Sequence, residues 1–144
     1  MTGTTVVIGE PQGSELNLLF SLARTAFADA PGWSDERVLE VLEGDLVFVA
    51  REESQAAGYV ALHHDRSERT VVVDQLFVAP GHEHRGVGHR LLAHAEGWAI
   101  SERARALRIV AEEGNWRARS FYRREGFVPV ERELLELILP QLPE

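Results

Sequence analysis

Residues 70–92 pass from a β-rich run through a two-glycine turn into a helix, and this order constrains the chain more than any other feature. Thr70–Val78 holds Val71, Val72, Val73, Leu76, Phe77 and Val78, a strand composition. Arg85-Gly86-Val87-Gly88-His89-Arg90 then turns the chain, and Leu91, Leu92, Ala95 and Ala99 fall on one helical face. Glycine lets the backbone turn tightly and bring its N–H groups close to a ligand with no Cβ in the way. The first N–H groups of a helix are unpaired, its dipole presents a positive end, and Arg85 and Arg90 can reach phosphate oxygens. The pattern therefore fits a diphosphate site, and it fits equally a turn that uses glycine for geometry alone.

Two familiar phosphate loops are excluded. A Walker loop needs Gly-Lys-Ser/Thr, whereas all 15 basic residues here are arginine. A dinucleotide fingerprint needs Gly or Ala three residues after Gly88, and Leu91 stands there. That loop also follows the first strand of its unit, while this one comes after two earlier strands and two helices.

The elements around the loop are readable from their periodicity. Val6 to Ile8 reads as a first strand, and Leu16, Leu19, Phe20, Ala23 and Phe27 mark an amphipathic helix ended by Pro31-Gly32. Ser34 is the N-cap of a second helix through Val38, Leu39 and Leu42, which Gly44 stops. Leu46 to Ala50 and Gly58 to Leu62 are strands joined by a polar turn around Glu52-Glu53-Ser54-Gln55. After the loop and its helix, Leu107 to Val110 is a strand and Asn115 caps a helix through Phe121 and Tyr122, closed by Gly126. Phe127 to Val130 and Leu134 to Leu139 are the last strands. Helices interleave with strands, yet hairpins occur too, so the expected fold is α/β with a mixed sheet of about seven strands and about four helices.

A chain of 144 residues with no repeat or linker is expected to form a single domain over residues 1–144. Its 44% hydrophobic and 26% charged content supplies a real core, which excludes disorder. Cysteine is absent, which removes disulfides, thiolate metal sites and a cysteine nucleophile. No apolar run approaches the roughly 20 residues of a membrane helix, and Met-Thr-Gly-Thr-Thr has no secretory character. A cytoplasmic protein is expected. The net charge of −8 argues against nucleic acid and anionic membrane as partners, since both need a basic footprint.

Two stretches carry a family resemblance. Asp74-Gln75-Leu76-Phe77-Val78-Ala79-Pro80 followed by Arg85-Gly86-Val87-Gly88-His89-Arg90-Leu91-Leu92 resembles the acetyl-CoA motif of the GCN5-related N-acetyltransferases. Asn115-Trp116-Arg117-Ala118-Arg119-Ser120-Phe121-Tyr122-Arg123-Arg124-Glu125-Gly126-Phe127 is similar to that family's Asn-x-x-Ala-x-x-Phe-Tyr-x-x-x-Gly-Phe signature. The resemblance implies the family's acyltransferase fold and direct transfer of acetyl from acetyl-CoA to a primary amine. The acceptor would be a small-molecule amine or a peptide amine. Homodimers are common in the family, so a homodimer is compatible with it. A non-catalytic acyl-CoA-binding sensor or interaction module is the competing reading, and Tyr122 together with Asp74 favours the enzyme.

By the same resemblance, main-chain groups of Leu76, Phe77 and Val78 would pair with pantetheine like an added strand. The backbone of His84, Arg85, Gly86, Val87, Gly88 and His89 would hold the pyrophosphate. Asn115 would help place the cofactor arm, or simply cap its helix. Tyr122 would protonate the departing thiolate; a free phenol near 10 and a thiol near 8.5 are not far apart. Asp74 is the expected base or amine-binding carboxylate, since strand alternation sets it on the face of Leu76, where flanking Val72, Val73 and Leu76 would partly desolvate it. His63 and His64 are weaker candidates for a proton relay. Val110 stands where some protein-acetylating relatives carry a glutamate base, leaving Glu112 and Glu113 further along. Glu83 replaces the motif's usual Gln or Arg, and is expected to face solvent or pair with an arginine. His82, His84 and His89 have no carboxylate or cysteine at ligand spacing, so no metal is expected.

The charge is uneven. Residues 1–72 carry 5 arginines against 12 acids, a net of −7, and residues 73–144 carry 10 against 11, a net of −1. Seven arginines at 103, 105, 108, 117, 119, 123 and 124, with Arg85 and Arg90, could face the phosphates of acetyl-CoA. The acidic half contains the helices that cover the acceptor in the family, which suits a cationic amine.

Overall fold

The computed structural model describes residues 5–29 and 33–143, so the expected helix stop at Pro31-Gly32 lies outside the described residues. In chain order the elements are β1 (Val6–Gly9), α1 (Glu15–Ala26), α2 (Asp35–Gly44), β2 (Leu46–Glu52), β3 (Gln55–Asp65), β4 (Thr70–Val78), α3 (Val87–Ser101), β5 (Ala106–Val110), α4 (Trp116–Arg124), β6 (Val128–Glu131) and β7 (Leu134–Ile138). The strands form a seven-stranded sheet in the order β1-β2-β3-β4-β5-β7-β6. It is mixed: β4 and β5 run parallel, while β1–β2, β5–β7 and β6–β7 are antiparallel. The chain groups into two compact units, one of residues 1–61 and 75–94, the other of residues 62–74 and 95–144.

In the first unit, Leu19 and Ala23 of α1 and Val38 and Leu42 of α2 each repeat at four-residue spacing, so each pair lies on one helix face. Those faces bury against Val47 and Val49 of β2, Tyr59 and Ala61 of β3, and Phe77 of β4. Ser34 accepts a hydrogen bond from the Arg37 N–H at 3.3 Å, satisfying one donor at the start of α2. A bidentate pair joins α1 to β2: Arg51 Nε and Nη2 donate to the two Glu15 oxygens at 2.5 and 2.6 Å. That hydrogen bond is the main reason the Glu15 carboxyl lies below its ordinary pKa. Glu53 (φ 50) and Ser54 (φ 68) make the β2–β3 turn, both left-handed as a two-residue hairpin turn requires. The polar turn is thus narrower than its sequence suggests, because Glu52 belongs to β2 and is 3% exposed.

In the second unit, Thr70–Val73 of β4 pair with Ala106–Ile109 of β5, and β4 then runs on to Val78. Leu107, Ile109 and Leu135 are buried, as are Ala95 and Ala99 of α3. Arg108 and Glu136 face each other in the β5–β7 register, with Arg108 Nε donating to Glu136 Oε2 at 2.6 Å. Gly126 closes α4 at φ +101, a conformation L side chains rarely adopt, and a Cβ there would also meet Leu137 at 3.2 Å. β6 has all four residues exposed, and its pairing to β7 is irregular between Pro129 and Glu131.

Candidate active site

The loop between β4 and α3 is shaped by its own backbone. The Ala79 N–H donates to the Ala57 carbonyl at 2.7 Å, and the His82 N–H to the Ala79 carbonyl at 3.0 Å. Three residues adopt left-handed conformations: Gly81 (φ 89), His84 (φ 62) and Gly86 (φ 80). Val87 is buried and anchors the start of α3, whose first turn contains Gly88. The Arg90 N–H makes the first helical bond, to the Gly86 carbonyl at 2.9 Å. Among the described residues, the N–H groups of Arg85, Gly86, Val87 and Gly88 donate to no backbone carbonyl, leaving the donors of a helix start open to an anion. A Cβ on Gly86 would meet nothing within 4 Å, so glycine serves the left-handed turn there and the space beside it is clear.

Glu83 faces solvent, one of its two expected roles, and has no arginine partner among the described residues. Its carboxylate accepts from the Gly81 N–H at 2.9 Å and closes the loop's own turn. Arg85 Nη1 lies 3.5 Å from Glu52 Oε2, and Arg90 Nη2 donates to the Val6 carbonyl at 3.0 Å. Arg85, Gly86, His89 and Arg90 line a cavity of about 460 Å³ with Thr5 and Val6. Sequence reasoning missed Glu52 and His82, whose Nδ1 lies 2.6 Å from Glu52 Oε1. They are 30 residues apart, and only the sheet order brings them together.

Along β4 the side chains alternate as expected. Phe77 is buried in the first unit's core, while Leu76 and Val78 are half-buried. Gln75 Oε1 accepts from the hydroxyl of the fully buried Tyr59 at 2.5 Å.

The second unit holds the other expected site residues. Asp74 Oδ2 lies 3.3 Å from His63 Nδ1, with side chains 26% and 50% exposed. His64 turns elsewhere: its ring sits 6.0 Å from Trp98, and its Nδ1 is 3.9 Å from Glu102. Asn115 Oδ1 accepts from the Ala118 N–H at 3.2 Å and so caps α4. Tyr122 lies seven residues on, two turns along the helix, with ring centroids of Phe121 and Phe127 at 5.5 and 6.0 Å. Burial pushes its phenol up to about 12.

Five of the seven arginines between 103 and 124 have partners within the second unit. Arg108 is bound to Glu136, Arg105 Nε donates to the Glu68 carbonyl at 2.9 Å, and Arg119 Nη1 to the Ala111 carbonyl at 2.9 Å. Arg103 reaches the Leu142 carbonyl at 3.4 Å, and Arg117 stands over the Trp116 ring at 5.7 Å. These five cations are engaged by the second unit's own backbone and side chains. Among the described residues, no group of three His, Cys, Asp or Glu side chains is placed to hold a metal ion, and no helix is long and apolar enough to cross a membrane.

Residues 16–127 match the family described as Acetyltransferase (GNAT). The chain belongs to the GNAT family. A relative from Bacillus subtilis (strain 168), named uncharacterized N-acetyltransferase YhfO, is 30% identical over 86 residues, which cover 57% of this chain and 58% of that protein. Two solved N-acetyltransferase structures share the fold. The ribosomal-protein-S18-alanine N-acetyltransferase from Escherichia coli has a TM-score of 0.77 at 17% identity, covering 97% of each chain. The PaiA N-acetyltransferase from Thermoplasma acidophilum, in complex with coenzyme A, has a TM-score of 0.73 at 19% identity, covering 93% of this chain and 99% of that one. Both GNAT motifs therefore stand on the elements expected for them, the first at the β4–α3 junction and the second on α4.

Proposed function

We propose that this GNAT chain transfers an acetyl group from acetyl-CoA to a primary amine. The observation that carries the reading is the β4–α3 loop, where four successive N–H groups without backbone acceptors among the described residues meet the start of a 15-residue helix. Such a cradle fits a diphosphate. The backbone of His84, Arg85, Gly86, Val87, Gly88 and His89 holds it, and Leu76, Phe77 and Val78 offer main-chain groups to the pantetheine beyond the β5-paired part of β4. Asn115, besides capping α4, helps place the same arm. The solved relative from Thermoplasma acidophilum with bound coenzyme A supports this co-substrate.

Acetyl-CoA supplies the acetyl group as a thioester, whose carbonyl carbon accepts the lone pair of a neutral amine while the carbon–sulfur bond breaks. An alkylammonium near 10 must first lose a proton. Asp74 with His63 takes that proton: the carboxylate accepts from Nδ1–H, and the imidazole keeps Nε2 as its basic nitrogen. Tyr122 donates to the departing sulfur. Its burial widens the gap between phenol and thiol beyond the free side-chain values, so it first stabilises the developing negative charge by a hydrogen bond and yields the proton as the bond breaks. No carboxylate base stands at Val110, whose apolar side chain is 62% exposed. A cationic amine suits the net of −7 over residues 1–72, where 5 arginines meet 12 acids. A cytoplasmic setting is part of this reading.

Thiol release from acetyl-CoA, measured against a panel of primary amines, tests it. Turnover with at least one amine supports the enzyme. Coenzyme A binding without turnover on any amine would favour a sensor module instead.

A further inference from the structure

We infer that Glu52, which lies outside both sequence motifs, is a positioning residue for acetyl-CoA: its buried carboxylate fixes the glycine loop in the shape that receives the diphosphate. This inference rests on the acetyl-CoA reading of that loop.

Glu52 ends β2 and stands opposite Val6 in the β1–β2 register. Three side chains from residues 82–90 converge on this one pair. His82 Nδ1 lies 2.6 Å and Arg85 Nη1 3.5 Å from the two Glu52 oxygens, and Arg90 Nη2 donates to the Val6 carbonyl at 3.0 Å. A carboxylate with 3% of its side chain exposed is tolerated only where charged or hydrogen-bonding partners compensate its lost hydration. Here the loop supplies two such partners, so contacts that compensate the buried carboxylate also hold the loop in place.

The anchored positions bracket the conformations that need holding. His84 (φ 62) and Gly86 (φ 80) are left-handed, and they lie between His82 and Arg90. A loop fixed before its ligand arrives avoids the ordering cost that binding would otherwise carry. Glu52 also orients Arg85. That side chain is 52% exposed, and with one terminal nitrogen beside the carboxylate its other donors remain for phosphate oxygens. A negative charge near a diphosphate site is thus offset by the guanidinium it aims.

The test uses Glu52→Gln, which keeps the size and removes the charge. Acceptor turnover is measured with the best amine of a panel containing spermidine, tyramine and an alanine-terminated peptide. The KM for acetyl-CoA should rise about tenfold, the loss expected for one charged hydrogen bond, with kcat and the amine KM unchanged. The acetyl thioester of N-acetylcysteamine, which has no diphosphate, should react with the two proteins equally well. Equal losses with both donors, or an unchanged acetyl-CoA KM, overturn the inference. His82→Gln should weaken coenzyme A binding in the same direction, and the double variant should be no weaker than Glu52→Gln alone. If Glu52→Gln does not fold, unchanged affinity in His82→Gln overturns the inference. Calorimetry with coenzyme A separates the two levels. Wild-type protein that binds no coenzyme A removes the acetyl-CoA reading and this inference with it, whereas equal binding by wild type and Glu52→Gln removes only this inference.

Discussion

The imidazole of His63 lies 3.3 Å from the carboxylate of Asp74, joining two neighbouring strands through a pair of side chains that solvent still reaches. An isolated carboxylate near 3.9 is poorly matched to an alkylammonium near 10, and an imidazole near 6.5 narrows that gap. In the proposed reaction the pair divides the work, with Asp74 setting the tautomer and His63 presenting the basic nitrogen.

Asp74→Asn should lower kcat/KM for the amine by about 100-fold at neutral pH, the usual scale of general-base assistance. The deficit should shrink as the pH approaches the amine's own pKa, because bulk solvent then supplies the neutral nucleophile. His63→Gln should show the same convergence. Thiol-release rates for both variants between about pH 7 and pH 10 check this, and a parallel loss at every pH removes the base role.

Tyr122→Phe should reduce kcat by about 100-fold and leave the dissociation constant of coenzyme A nearly unchanged. Removal of one hydroxyl that has no hydrogen-bond partner among the described residues should cost little stability at neutral pH. Single-turnover rates alongside calorimetric binding separate the two effects.

The two tyrosine phenols also give the protein an alkaline limit. Burial raises Tyr122 to about 12 and raises Tyr59 further, against about 10 in the unfolded chain. Above pH 10 the unfolded state therefore loses protons that the folded state keeps, so stability is full below that pH and falls as pH rises. The slope should reach about 1 kcal/mol per pH unit for each phenol. Urea unfolding at a series of alkaline pH values should show it, and Tyr122→Phe should flatten it.

Arg108→Ala should destabilise the fold by about 3 kcal/mol, because it leaves Glu136, 7% exposed, without its 2.6 Å partner. Adding Glu136→Leu should recover much of that loss. Coenzyme A affinity should stay unchanged in both variants. Denaturation midpoints and calorimetry report the two quantities separately.

Gly58→Ala should cost about 2–4 kcal/mol, since its Cβ would stand 2.3 Å from the Phe77 carbonyl oxygen. Gly44→Ala is the matched control. A Cβ there meets nothing within 4 Å, and alanine favours the helix end by a few tenths of a kcal/mol to about 1. Midpoints of urea unfolding should move in opposite directions.

Most elements were legible because their signals are local. Ser34 and Asn115 cap the helices they precede, and Gly126 marks the end of α4 by a φ that glycine adopts readily. Thr70–Val78 is a strand over the full span its composition indicates. What stayed hidden depends on sheet order. Arg108 looked like a phosphate ligand until β7 placed Glu136 beside it, and His82 looked like a turn histidine until β2 placed Glu52 beneath it. Glu52 itself read as part of a polar turn, since the two left-handed residues that make that turn, Glu53 and Ser54, are not the usual Asn-Gly. No local pattern distinguishes a buried acid at a strand end from an exposed one.

The last strand in the sheet order has a consequence for crowded solution. β6 is four residues long, includes Pro129 with no N–H to offer, loses register between Pro129 and Glu131, and ends on a charge. It presents no unbroken run of donors and acceptors to a passing strand, despite the exposed Val128 and Val130. That edge of the sheet therefore resists edge-to-edge stacking into fibrils, and protection against aggregation is written into the same short strand that completes the fold.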